Sequence, residues 1–206
     1  MDDPVTRART LLAACTIDEG ALDDGQAVAR ASAVAAAARE YAAGAAEVFD
    51  EHMRDEFELR DADATMATMS AEPYVNHVPV GTGGAGREAV HRFYRDDFIP
   101  NWPEDTATEP ISRTIGADQV VDELILSFTH TKEMPAILPG LAPTGRRVEL
   151  PTVVVVGLQA GLVHHEHIYW DQASALVQLG VLDPAGLPVT GAEQATGVRR
   201  LTGAAG

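Results

Sequence analysis

The chain has 206 residues, 46% of them hydrophobic, with a formal net charge of −16 and a pI near 4.6. That length and apolar content suit one domain with a real core and an appendage, while the acidic surface repels phosphate backbones and anionic lipid and argues against nucleic-acid or membrane partners. The single cysteine, Cys15, allows no internal disulfide, and no basic-then-apolar leader opens the chain, so the expected location is the cytoplasm.

Taken in order, Val5 to Ala14 reads as a short helix and Asp18 to Gly25 as an acidic linker. From Gln26 to about Glu58 alanine dominates, which predicts a helix, with Gly44 marking a kink or break because glycine costs about 1 kcal/mol there. Val48, Phe49, Met53 and Phe57 recur at helical spacing and should pack inward. Asp61 or Asp63 caps a second helix. Pro73 to Val80 reads as a strand. Alternation places Tyr74, Asn76 and Val78 on one face, with Val75 and His77 on the other.

The run Gly81 to Gly86 reads as a flexible strand-to-helix connection leading into a helix over Arg87 to Phe98. It lacks the Lys-Ser/Thr of a P-loop. Pro100 to Pro110 is expected as loop, with Trp102 at a pocket mouth. Strands are expected over Ile111 to Ile115, Asp118 to Lys132 and Arg147 to Leu158, and a helix over Ala173 to Leu179. From Gly180 the chain reads as a Gly/Pro/Ala-rich tail.

The most chemically loaded stretch is Gly161 to Asp171, Gly-Leu-Val-His-His-Glu-His-Ile-Tyr-Trp-Asp. A Val-rich strand precedes it and Gln159-Ala-Gly161 forms a turn, so it is expected as the second strand of a hairpin. On that strand Glu166, Ile168 and Trp170 share one face, and His165, His167, Tyr169 and Asp171 the other. Helices first, one helix after the first strand, then a meander of strands predict an α+β fold: a curved antiparallel sheet forming a cone-shaped barrel covered by the N-terminal helices. Such a cone leaves a cavity.

Several motifs resemble the SnoaL-like polyketide cyclases of the nuclear transport factor 2-like superfamily. They are Tyr74-Val-Asn-His77, Gly83-Gly84 before a helix, Thr129-His130-Thr131, Gly140-Leu-Ala-Pro-Thr-Gly145, Gly161-Leu-Val, and Asp171 ahead of Gln178-Leu-Gly180. The run Glu166 to Gln172 also resembles domains labelled carboxymethylenebutenolidase-like or dienelactone-hydrolase-associated, yet the chain has no Gly-x-Ser-x-Gly or Gly-x-Cys-x-Gly elbow. The resemblance implies three parts: an extension over 1–44, a cone domain over 45–182 and a tail over 183–206. It also implies a homodimer through the outer sheet face and no cofactor. The cyclases carry an acid/base aspartate on the last strand; its position falls near Ile168 here, and a histidine of the preceding strand falls near Val154. Glu166 is the nearest ionisable residue in the same strand phase.

The expected function is therefore a small-molecule enzyme without cofactor, moving a proton in a cyclisation, an isomerisation, or a hydrolysis of an ester, lactone or epoxide. Glu166, desolvated beside Trp170 and with a raised pKa, is the candidate acid/base. His77, His167 and Asp171 are the other catalytic candidates. Tyr74, Asn76, His130, Tyr169, Trp170 and Trp102 are the candidate contacts for a largely apolar substrate. A His165-x-His167 pair joined by His77 or His130 would be needed for a metal, and none is expected. The alternative is a non-catalytic ligand-binding or dimerisation domain of the same fold.

Overall fold

The computed structural model describes residues 9, 12, 13, 15, 22–116 and 118–203. The short helix expected over Val5 to Ala14 and most of the acidic linker fall largely outside them. The chain forms two compact units, residues 1–44 and 45–206. In the first, Leu12, Ala27 and Ala31 are buried together and Arg9 pairs with Asp24 at 2.9 Å.

The element order is α1 (Asp24–Arg54), a π-helical turn (Asp55–Leu59), α2 (Ala62–Ala67), β1 (Met69–His77), β2 (Thr82–Ala85) and α3 (Arg87–Arg92). A second π-helical turn (Phe93–Phe98) and a 3-10 turn (Ile99–Asn101) come next. Then come β3 (Ala107–Ile115), β4 (Gln119–Thr129), β5 (Arg147–Gln159), β6 (Leu162–Trp170), α4 (Gln172–Gln178) and α5 (Glu193–Thr202). Asp61 caps α2 by accepting from the amides of Asp63 and Ala64.

The six strands form one sheet in the order β2-β1-β6-β5-β4-β3. The α+β class and the curved sheet agree with the sequence reading, with two corrections. The sheet is not closed: β2 and β3 are its edges. Nor is it wholly antiparallel, because β1 and β6 run parallel. They are joined through the rest of the fold and not by a tight turn, so nothing forces them antiparallel. Register shifts in β1, β3 and between Gly157 and Leu158 act as bulges that bend the sheet.

The glycine-rich run is not a loose connection. Thr82–Ala85 is a strand on β1, and a Cβ at Gly83 would collide with the Val75 carbonyl oxygen. Only glycine permits that approach at φ +131°. β3 likewise begins earlier than expected, inside the presumed loop. The tail contains α5, whose Arg199 pairs with Glu109 at 2.8 Å and Glu149 at 3.0 Å. Composition alone hides this, because the Gly and Pro residues cluster before Glu193.

One face of the sheet packs on the helical segments that lie beyond residue 45. Phe49, Tyr94 and Phe98 meet Leu124, Phe128 and Val154 there. Burial of each such side chain contributes roughly 1.5–3 kcal/mol relative to exposure. Among the described residues no helix is long and apolar enough to cross a membrane.

Candidate active site

Alternation along β6 turns Glu166 and Ile168 toward the helices. In register, Glu166 lies between Val75 of β1 and Val156 of β5, and Ile168 between His77 and Val154. Both line a cavity with Val75, His77, Leu124, Leu126, Thr152 and Val154 on its sheet side. Met53, Glu56, Phe57, Tyr94, Phe98 and Trp102 close its helical side. The cavity has a volume of about 50 Å³, room for a few waters, and opens to solvent at its mouth. Met53 and Thr108 also line two grooves on the outside, which places the mouth between the Asp50–Glu58 segment and β3.

At the wall of this cavity four polar side chains meet out of water. Tyr94 donates its hydroxyl hydrogen to Glu166 Oε2 at 2.5 Å. His52 Nε2 lies 3.2 Å from the Tyr94 oxygen, 3.1 Å from Glu56 Oε1 and 3.5 Å from Glu166 Oε2. All four are nearly or fully buried. The hydrogen bonds define the imidazole. Thr68 donates its only hydroxyl hydrogen to the Thr65 carbonyl at 2.7 Å, so at 2.6 Å from His52 Nδ1 it accepts. Nδ1 therefore carries a hydrogen, and Nε2 is the atom turned to the carboxylates.

The charges are set by this packing. Burial alone would lower the His52 pKa, but the charges of Glu166 and Glu56 and their hydrogen bonds outweigh it and push it up to about 10. Burial would raise Glu166. The His52 charge and the hydrogen bonds from His52 and Tyr94 hold it below the usual carboxylate range instead. This reverses the expectation of a raised Glu166: the carboxylate is ionised because a cation lies behind it. Glu56 goes the other way, raised by its burial against the opposing His52 charge. Burial also raises the Tyr94 phenol well above its ordinary value.

His52, Glu56 and Tyr94 carry no weight in the sequence reading, although a signal for two of them exists. Phe49, His52, Met53, Glu56 and Phe57 recur as i, i+3, i+4, i+7 and i+8, so a histidine and a glutamate sit within the apolar stripe itself. A polar residue at a core position marks a buried network. Glu56 and Tyr94 each lie on a π-helical turn directly after an α-helix. Such turns are frequent at functional sites.

The structure brings Glu166, His77 and Trp102 to one cavity. Burial holds His77 neutral; its Nδ1–H donates to the Ala136 carbonyl at 2.8 Å. Trp170 stands edge-on to His77 at 5.5 Å and gives its indole N–H to Gln172 at 2.6 Å, outside the cavity lining. The other candidates are elsewhere. Tyr74 and Asn76 are on the outer sheet face, where Tyr74 stacks on His165 at 4.9 Å and approaches His167 at 5.5 Å. Tyr169 is on the same face and 42% exposed. Asp171 caps α4, accepting from the Ser174 amide and from Gln194. His130 is buried beside Thr144, away from the cavity lining. The His165-x-His167 pair therefore shares no site with His77. The metal-capable group among the described residues is His52, Glu56 and Glu166, with donor atoms within 4.8 Å of one another.

No protein-family model matches the chain, and no curated protein matches it. Solved structures do. A protein from Jannaschia sp. described as a SnoaL-like polyketide cyclase superposes with a TM-score of 0.54 at 17% identity, covering 69% of this chain and 96% of its own. An NTF2-like protein of unknown function from Burkholderia pseudomallei gives 0.52 at 17%, covering 66% and 97%. A hypothetical protein with a ketosteroid isomerase-like fold from Catenulispora acidiphila, in complex with trimethylamine, gives 0.50 at 16%, covering 66% and 94%. The fold is NTF2-like. At such identities the likeness carries the fold and nothing about chemistry. The two positions that the sequence resemblance to the cyclases singles out, Ile168 and Val154, are adjacent across β5 and β6 and both line the cavity as apolar wall. The ionisable groups stand beside them, on Glu166 and on the helical side.

Proposed function

We propose that the chain is a small-molecule enzyme that carries out acid/base chemistry on a largely apolar substrate inside this cavity. The observation that carries the reading is the Glu166 carboxylate, desolvated at the cavity wall yet ionised, hydrogen-bonded to Tyr94 and backed by His52. An ionised carboxylate out of water is a base whose strength is set by its donors and not by solvent. Glu166 would take a proton from the substrate. Tyr94, in the same lining, gives its one hydroxyl hydrogen to that carboxylate and so orients the base toward the cavity. Glu56, whose carboxyl pKa burial raises, is the candidate proton donor at the wall. His52 is a positioning residue, absent from the cavity lining, whose positive charge opposes that of Glu166.

The reactions that fit are cyclisation, isomerisation and addition of water to an epoxide, lactone or ester, each needing one base and one hydrogen-bond donor near an apolar body. A panel of cyclic enones, epoxides and lactones tests it. Glu166→Gln should lower turnover of any substrate found by about 10² or more, and unchanged turnover sinks the base.

We further infer that two copies pair through the outer sheet face. Val153, Tyr169 and Leu162 are exposed there, the first two directly opposite each other in register.

A further inference from the structure

The two tryptophans of the chain are unequal. Trp170 gives its indole hydrogen to Gln172 at 2.6 Å. Trp102 lines the cavity, is 2% exposed, and its Nε1 meets no acceptor among the described residues. A buried N–H without a partner costs about 1–3 kcal/mol and calls for an explanation.

The ring has little freedom to find an acceptor by turning. Phe57 lies against it at 5.5 Å, Phe98 edge-on at 5.2 Å and Phe128 at 6.1 Å. Its backbone is tied down as well. Lys132 donates to the Trp102 carbonyl, and Arg60 and Thr106 to the Pro103 carbonyl. An indole so fixed is a preorganised donor. Phe98 touches both Trp102 and Tyr94, so a single phenyl ring links the donor to the acid/base group.

We propose that Trp102 is a substrate-binding residue whose indole N–H receives an acceptor oxygen of the substrate. The ligand class is then a compact apolar body bearing a carbonyl or ether oxygen, which docks on Trp102 while another part of it meets Glu166. Which end reacts rests on the acid/base reading; the docking contact does not. Hydrocarbons of the same shape lose this contact and leave the N–H unpaired, the situation in which a polar site discriminates most strongly.

The test uses the full chain labelled with 15N-tryptophan, which has two indole signals, assigned with Trp102→Phe. The probes are cyclopentanone and methylenecyclopentane, equal in shape, of which only the ketone is an acceptor. The ketone should move the Trp102 N–H signal downfield and leave that of Trp170 in place, while the alkene moves neither in that sense. Trp102→Phe should weaken ketone binding by about fivefold to tenfold, the loss of one neutral hydrogen bond, and leave alkene binding unchanged. Equal shifts with both probes, equal losses with both, or binding of neither to the wild-type chain would overturn the proposal. Phenylalanine keeps an aromatic ring among Phe57, Phe98 and Phe128, and a cooperative thermal transition of the variant shows that the cage still folds. A failed Glu166→Gln experiment would leave this result standing, and the reverse is also true.

Discussion

Tyr94 and Glu166 share a 2.5 Å hydrogen bond across 72 residues of sequence, between a π-helical turn and the middle of a strand. The bond joins the two sides of the cavity and adds to the larger effect of the His52 charge in holding the pKa of the carboxylate down. Removing the phenol oxygen with Tyr94→Phe deprives ionised Glu166 of a donor, so its pKa rises. The acidic limb of the pH–rate profile should move to higher pH and kcat should fall by about 10-fold to 10²-fold. A profile superimposable on that of the wild type would remove Tyr94 from the mechanism.

Stability should depend on pH in two opposite senses. His52 has a folded pKa of about 10 against an ordinary 6.5. The folded chain keeps its proton longer, so this contribution is complete below about pH 6.5 and is lost as pH rises toward 10. His77 is depressed by burial. There the unfolded chain takes up a proton first, so stability falls as pH drops below about 6.5. Each slope is limited to about 1.4 kcal/mol per pH unit. Urea midpoints measured from pH 5 to 10 should show a maximum between the two. His52→Gln should flatten the alkaline side and His77→Gln the acidic side.

Two glycine substitutions should differ in cost for a reason visible in the geometry. At Gly83 an added Cβ runs into the Val75 carbonyl, a backbone group in a paired strand, so Gly83→Ala should cost about 3 kcal/mol or more. At Gly157 it runs into the His165 ring just as closely. That side chain is half-buried and can swing away, at about 1–2 kcal/mol. Chemical denaturation of both variants checks the order.

Asp171 separates structure from chemistry. Its carboxylate caps α4 and accepts from Gln194, and it is absent from the cavity lining. Asp171→Ala should cost about 1 kcal/mol and leave kcat within about twofold. A kcat loss near 10² at unchanged stability would return Asp171 to the candidate acid/base group.

Pairing through the outer face is checked by Tyr169→Glu, which sets a charge on that surface. Light scattering should show a shift from two copies to one, with cavity chemistry intact. A wild-type chain that is monomeric at all concentrations overturns the pairing.

The hairpin and the division of its second strand into two faces were legible because period-two alternation is a local property: the valines of β5, the turn at Gly161 and the split of Glu166 from His165 and His167 all come from it, whereas which face turns inward was not. The parallel β1–β6 pair was not legible, since no local pattern encodes which distant strands meet. Nor was the strand at Thr82–Ala85, because a glycine-rich run suggests flexibility until Val75 is seen against Gly83. The site was half legible. Glu166 stands out on its strand, whereas its partners are a histidine and a glutamate in an alanine-rich helix and a tyrosine among phenylalanines. They acquire meaning only when three distant segments converge. The histidine-rich stretch drew attention to the wrong face: its imidazoles stack with Tyr74 outside the sheet, and the histidine that matters electrostatically is His52.

The two π-helical turns have a consequence for how this chemistry could arise or be lost. A π-turn is an α-helix holding one residue too many, and an α-helix rotates by about 100° per residue. Deleting a single residue from 55–59 or 93–98 would restore ordinary helix and turn the residues beside the deletion by about a quarter turn, carrying Glu56 or Tyr94 off the cavity wall without substituting either. In a lineage of such chains, the acid/base group would be switched by chain length as readily as by residue identity. Insertions and deletions in these two short segments would then sort catalysts from passive binders.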